Sequence, residues 1–173
     1  TNPSALLPLL APGQYIGGPY LYTNLKSNFT QFGDGKLLEH SVKSLQFETF
    51  ERYATLYNIR WMVCWSRAMV GLAESHREYF ELKAHFGYLK LYALNRETNW
   101  ALLGTAQVRA QPDRLEISNA TPDSSGSLIL SYHWISTLKS TAAIRPIMLE
   151  DDPVPFIAVD NAPTEFVIEN RLW

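Results

Sequence analysis

The sequence is short of the features that mark most small secreted or catalytic chains. It has one cysteine, Cys64, so no disulfide can form within the chain. The run Ile59-Arg60-Trp61-Met62-Val63-Cys64-Trp65 around it predicts a buried thiol, since a nucleophilic one needs an accessible, positively charged setting. No apolar stretch approaches the roughly 20 residues that cross a bilayer, and no basic segment followed by an apolar one marks a signal peptide. The chain opens at Thr1 without Met and reads as a soluble piece of a longer protein. Charged residues are only 18% of it, with a net charge of −2 and no basic stripe, so the phosphate neutralisation behind nucleic-acid binding has no source. No nucleic-acid partner is expected.

Reactive motifs are missing as well. His40, His76, His85 and His133 form neither a His-x-x-x-His pair nor a spacing with cysteine, so neither a metal nor a cofactor is predicted. Gly17-Gly18-Pro19 lacks the glycine and lysine context of a phosphate cradle, and there is no Gly-x-Ser-x-Gly elbow. No residue is therefore assigned a catalytic role. Asn28-Phe29-Thr30 and Asn119-Ala120-Thr121 fit the glycosylation acceptor pattern, which matters only in a eukaryotic secretory setting.

What is present is apolar and aromatic: 46% hydrophobic residues, 13% Phe, Trp and Tyr, in a chain of 173 residues that can bury a core without staples. Residues 1–43 are punctuated by Pro3, Pro8, Pro12 and Pro19, by Gly17-Gly18 and by a turn at Gly33-Asp34-Gly35; they read as irregular, with one short strand at Gln14 to Gly17. Phe50, Tyr53, Ala54 and Tyr57 fall at helical spacing, predicting a helix over 45–57 capped by Ser44 and closed by Asn58. Ile59 to Trp65, apolar on both faces apart from Arg60, reads as a central strand covered by helices. Ser66 caps a second helix over 67–75, and Leu82 to Phe86 and Leu89 to Leu94 form a hairpin across Gly87-Tyr88. Beyond Asn95 the period becomes two. Gln107 to Ala110, Arg114 to Ser118, Ser127 to Trp134, Ile144 to Leu149, Val154 to Val159 and Glu165 to Ile168 are short runs between turn residues, the spacing of a β-sandwich. The expected fold is α+β: an irregular segment (1–43) packed on a small α/β unit (44–96), then an antiparallel β-sandwich (97–173), docked through Trp100, Leu102 and Leu103.

Two groups of residues are candidates for a ligand site. Glu150-Asp151-Asp152, followed by Pro153 and Pro155, is the densest acidic cluster; paired carboxylates serve glycoside hydrolysis when an opposed partner such as Asp34 or Glu116 stands about 5–10 Å away, and otherwise form a solvated loop. Tyr132-His133-Trp134 ends a strand with rings on which a sugar can stack; alternatively Tyr132 and Trp134 fill the core while His133 points outward.

A broader pattern runs through most of the chain. Leu6-Leu7-Pro8-Leu9-Leu10, Gln14-Tyr15-Ile16-Gly17-Gly18-Pro19, Phe32-Gly33-Asp34-Gly35-Lys36-Leu37, Tyr57 to Ser66 and His85 to Tyr92, in that order, resemble the soluble C-terminal region of bacterial polytopic GT-C-type membrane proteins, glycosyltransferase-like chains of unassigned activity. Asp113 to Ile117, Leu128 to Trp134 and Asp151 to Ile157 are similar to the appended sandwich of those proteins. The Trp-Trp-Asp-Tyr-Gly motif of oligosaccharyltransferases is missing. The resemblance implies an extracytoplasmic domain, tethered to the membrane in the full-length protein, whose partners are the transmembrane part of its parent and a glycan or lipid-linked sugar. It implies a domain that supports, positions or binds. A carbohydrate-processing enzyme and a protein-assembly module using Leu6, Leu7, Leu9 and Leu10 are the alternatives.

Overall fold

The computed structural model describes residues 36–37, 40–111, 113–149 and 152–171. The predicted strand at Gln14 to Gly17, the turn at Asp34 and the leucines at 6–10 lie outside the described residues. The chain is α+β, dominated by antiparallel sheets, with two short helices among the described residues. Neither helix is long and apolar enough to cross a membrane.

A small ribbon, β1 (Lys36–Leu37) against β2 (His40–Ser41), precedes the first helix, in a stretch read as irregular. Helix α1 is Phe47–Leu56. Its N-cap is Gln46 without a side-chain cap; Ser44 belongs to the preceding turn, where its Oγ donates to the Ser41 carbonyl, so the expected Ser44 cap is replaced by a helix that starts later. At the other end, the Ile59 N–H donates to the Ala54 carbonyl (2.8 Å) and the Asn58 N–H to Thr55 (3.1 Å), with Asn58 at φ +51. This is a Schellman closure with Asn in the left-handed position. Asn rather than Gly has a use here: its buried Oδ1 accepts from Arg96 Nη1 (3.2 Å) and from the Asn99 N–H (3.0 Å), joining the helix end to the segment that enters the sandwich.

Strand β3 (Trp61–Cys64) follows, then helix α2 (Arg67–Ser75), whose predicted cap is in place: Ser66 Oγ accepts from the Met69 N–H at 3.2 Å. Strands β4 (Phe80–Phe86) and β5 (Leu89–Leu94) form the predicted hairpin across Gly87 at φ +61. The three-stranded sheet has the order β3-β5-β4. This corrects one expectation: the strand around Cys64 is an edge, not a centre. The helices cover only one face of this sheet. Met62 and Cys64 are buried, whereas Trp61 (53%) and Val63 (50%) are exposed.

Eight further strands make two sheets: β6 (Ala101–Leu103), β7 (Thr105–Gln111), β8 (Arg114–Thr121), β9 (Ser127–His133), β10 (Leu138–Ser140), β11 (Ala143–Ile147), β12 (Phe156–Asp160) and β13 (Phe166–Asn170). One sheet runs β11-β12-β9-β6, the other β10-β13-β8-β7. The short strands β6 and β10 were not legible as alternating runs.

The strands apolar on both faces are β9 and β12. Leu128 and Leu130 of β9, with Ile157 and Val159 of β12, pack with Ile117, Phe166 and Ile168 of the outer sheet. Their neighbours in the alternation, Ile129, Phe156 and Ala158, join Phe50, Tyr53, Met62, Phe80 and Leu94 in a second core with the helices and the three-stranded sheet. The β11-β12-β9-β6 sheet is thus a central layer, as strands covered on both faces require. Leu102 and Leu103 pack on the helical side and Ala101 on the other, while Trp100 lies ring to ring on Tyr132.

Burial pushes the Cys64 thiol up to about 12, against a smaller downward pull from Lys90. A disulfide reagent at neutral pH is expected to leave Cys64 untouched until denaturant unfolds the chain, read as colour released with and without urea. Leu130→Ala is expected to cost about 2–5 kcal/mol in urea unfolding, against about 0.5 kcal/mol or less for Val63→Ala on the open face.

Candidate functional site

The end of β9 sorts its side chains by alternation. Tyr132 and Trp134 turn towards the outer sheet and pack on its core, both half-buried. His133 turns the other way. It meets Phe156 (ring centroids 4.8 Å) and Tyr57 (5.2 Å, edge-on) rather than solvent, so the outward histidine of the sequence reading is an inward one. A bulge lies here: Phe156 pairs with His133 but Ile157 with Leu130, while on the β6 side the Ser131 N–H donates to the Trp100 carbonyl at 2.8 Å. Ser131 Oγ donates to the carbonyl of Leu56 at the end of α1, bringing the helix C-terminus to the same place.

Into this corner the loop after β11 delivers Asp152. It is 1% exposed, a carboxylate enclosed by protein. Local chemistry explains part of the placement: Oδ1 accepts from the Val154 N–H at 2.8 Å, two residues on, as Asp does in a turn followed by proline. The rest is long-range. Tyr57 Oη, 95 residues away in sequence, donates to Oδ2 at 2.6 Å, and His133 Nε2 stands 3.7 Å from the same oxygen. That nitrogen is buried and makes no hydrogen bond. At 3.7 Å the His133 contact is electrostatic rather than a formed hydrogen bond.

The electrostatics of the corner follow. Burial drives the Asp152 carboxyl upward, but His133, Tyr57 and the Val154 N–H outweigh it and hold the group below the usual carboxylate range. Burial, and then the bond to the anionic Asp152, drives the Tyr57 hydroxyl well above its usual value. A proton-transfer catalyst needs a pKa near its working pH. This pair has been moved apart, Asp152 fixed as an acceptor and Tyr57 as a donor, which makes the arrangement a clasp between the helical layer and the central sheet.

The other candidates do not converge on it. Asp34, Glu150 and Asp151 lie outside the described residues. Glu116 sits on the outer sheet, where Arg114 Nε is 3.1 Å from Oε1 and Arg109 Nη1 3.8 Å from Oε2; it lines an open groove with Thr141 and Glu165, away from Asp152. Among the described residues, no three of His, Cys, Asp and Glu stand together as metal ligands would. Tyr57 and Phe156 belong to the corner and were missed as site residues. Tyr57 was legible as a core-facing helix position, but no local spacing links it to Asp152. Compared with known proteins, the chain matches no family model, no curated protein and no solved structure.

Removing the clasp's donor leaves a buried anion short of a partner, so Tyr57→Phe is expected to cost about 1–3 kcal/mol in urea unfolding. The acid response has a definite sign. Because the folded pKa of Asp152 lies below the unfolded value of about 3.9, its stabilisation is complete above that value and is lost as the pH falls through the folded pKa. Asp152→Asn is therefore expected to flatten the loss of stability between about pH 5 and about pH 2; an unchanged acid limb removes this role.

Proposed function

We propose that the chain is a non-catalytic, extracytoplasmic accessory domain of a membrane protein of the glycosyltransferase-like kind, which supports its parent and contacts glycan through aromatic rings of the sandwich. The observation that supports the non-catalytic part is the state of Asp152: a fully enclosed carboxylate that accepts from Tyr57 and a backbone N–H is withdrawn from any substrate. The membrane and glycosyltransferase part rests on the resemblance of Tyr57 to Ser66, His85 to Tyr92 and Leu128 to Trp134 to the soluble regions of GT-C-type proteins. The membrane-spanning part of that parent is the expected partner.

For the sugar, support comes from Trp100 and Tyr132. Their rings stack at 5.0 Å with 27° between planes, both half-buried, with Trp134 two residues along the chain from Tyr132. A flat, partly open aromatic pair suits the apolar C–H face of a pyranose. Titration of oligosaccharides and lipid-linked-sugar headgroups, followed by tryptophan fluorescence, is expected to give a saturable change that Tyr132→Ala and Trp134→Ala abolish. A flat response across glycans removes the sugar contact and leaves the supporting role.

A further inference from the structure

The face of the three-stranded sheet opposite the helices is apolar and open. Cross-strand pairing places Ala93 between Trp61 and Glu81, Leu91 between Val63 and Ala84, and Leu89 beside Phe86, all on this one face, with Glu81 at the end away from the hairpin turn. Cys64 pairs with Lys90, so Trp65, the next residue, reaches the hairpin turn that carries Phe86 and Tyr88. There Trp65, Phe86 and Tyr88 are 57%, 66% and 77% exposed. An apolar area of this kind marks a docking surface, and its make-up of Trp, Tyr and Phe is that of the aromatic belt at a membrane–water boundary.

Charge identifies the occupant. Residues 52–96, which include β3, α2, β4 and β5, hold seven cations (Arg52, Arg60, Arg67, Arg77, Lys83, Lys90, Arg96) against three acids (Glu74, Glu78, Glu81), whereas the rest of the chain has eight cations against 14 acids. The polarity is therefore strong for a chain of net charge −2. Lys83 pairs with Glu81 and Lys90 with Glu74, while Arg67, two residues beyond Trp65, makes no ion pair among the described residues. An aromatic tip flanked by cations in an otherwise acidic molecule complements an apolar layer beneath anionic headgroups.

We propose that this face docks on the surface of a bilayer carrying anionic lipid, with Trp65, Phe86 and Tyr88 entering the headgroup boundary and Arg67 and Lys83 meeting the phosphates. The inference deepens the membrane-associated reading above and rests on it for the nearness of a bilayer. The test concerns this face alone, so the sugar titration stands or falls separately.

The chain is mixed with vesicles of phosphatidylcholine, with and without phosphatidylglycerol, and followed by co-sedimentation and tryptophan emission. The expected result is binding with a blue shift, stronger with phosphatidylglycerol and weakened by salt. Trp65→Ser combined with Phe86→Ser is expected to lower partitioning on the order of tenfold or more. Arg67→Glu, in a helix first turn where an acid is tolerated, is expected to remove only the preference for the anionic lipid. Unchanged circular dichroism establishes that each variant folds. Absence of binding, or binding that ignores these substitutions, overturns the proposal. So does a concentration-dependent dimer broken by the same two serines, which assigns the face to a second copy of the chain.

Discussion

One sheet has to be dry on both sides, and the architecture follows from that. Successive residues of β9 and β12 belong to different cores: Leu128 and Leu130 to one, Ile129 to the other, Ile157 and Val159 to one, Phe156 and Ala158 to the other. A strand built this way cannot lie at the rim of a sandwich, because whichever face met water would expose a row of branched side chains. The outer sheet covers one side. The helices, with the three-stranded sheet, cover the other.

Where those two coverings end, the polar chemistry is concentrated. Asp152 is a charge enclosed by protein, a situation that is costly unless every lone pair finds a donor. Two donors reach it, Tyr57 from the helical layer and the Val154 N–H from the loop of Asp152 itself, and His133 of the central sheet adds an electrostatic contact. Exposed to water, Asp152, Tyr57 and His133 would read as a proton relay. Their environment instead drives acid and hydroxyl in opposite directions, which suits a joint and not a turnover. The aromatic rings divide likewise: those of Tyr57, His133 and Phe156 wall in the carboxylate, those of Trp61, Trp65, Phe86 and Tyr88 stand in the open.

How much of this was legible in the sequence depends on the range of the forces involved. The cap at Ser66, the closure at Asn58 and the hairpin at Gly87 are local, each written within a few residues, and each is where the residues placed it. The class, α+β with sandwich-like sheets, followed from the change of period after Asn95. What was not legible is which side of a strand meets which neighbour. Ile59 to Trp65 and Ser127 to Tyr132 are both apolar runs, and only strand order reveals that the first is an edge and the second a centre. The corner at Asp152 was half readable. Its turn with Val154 follows from Asp before Pro, whereas Tyr57 arrives through a topology that no spacing encodes. His133 was turned the wrong way for the same reason: outward is the default for a polar residue between two aromatics, whereas here it faces a buried acid.

Asn58 sets how these parts can move. It ends α1, turns the chain into the edge strand and grips the backbone at Asn99, just before the central sheet begins. Helix, exposed sheet and sandwich are therefore pinned at a common pivot instead of strung along a hinge. A push on the open aromatic face is carried to the far sheet as torque on a stiff body, so the orientation of one surface dictates that of the other.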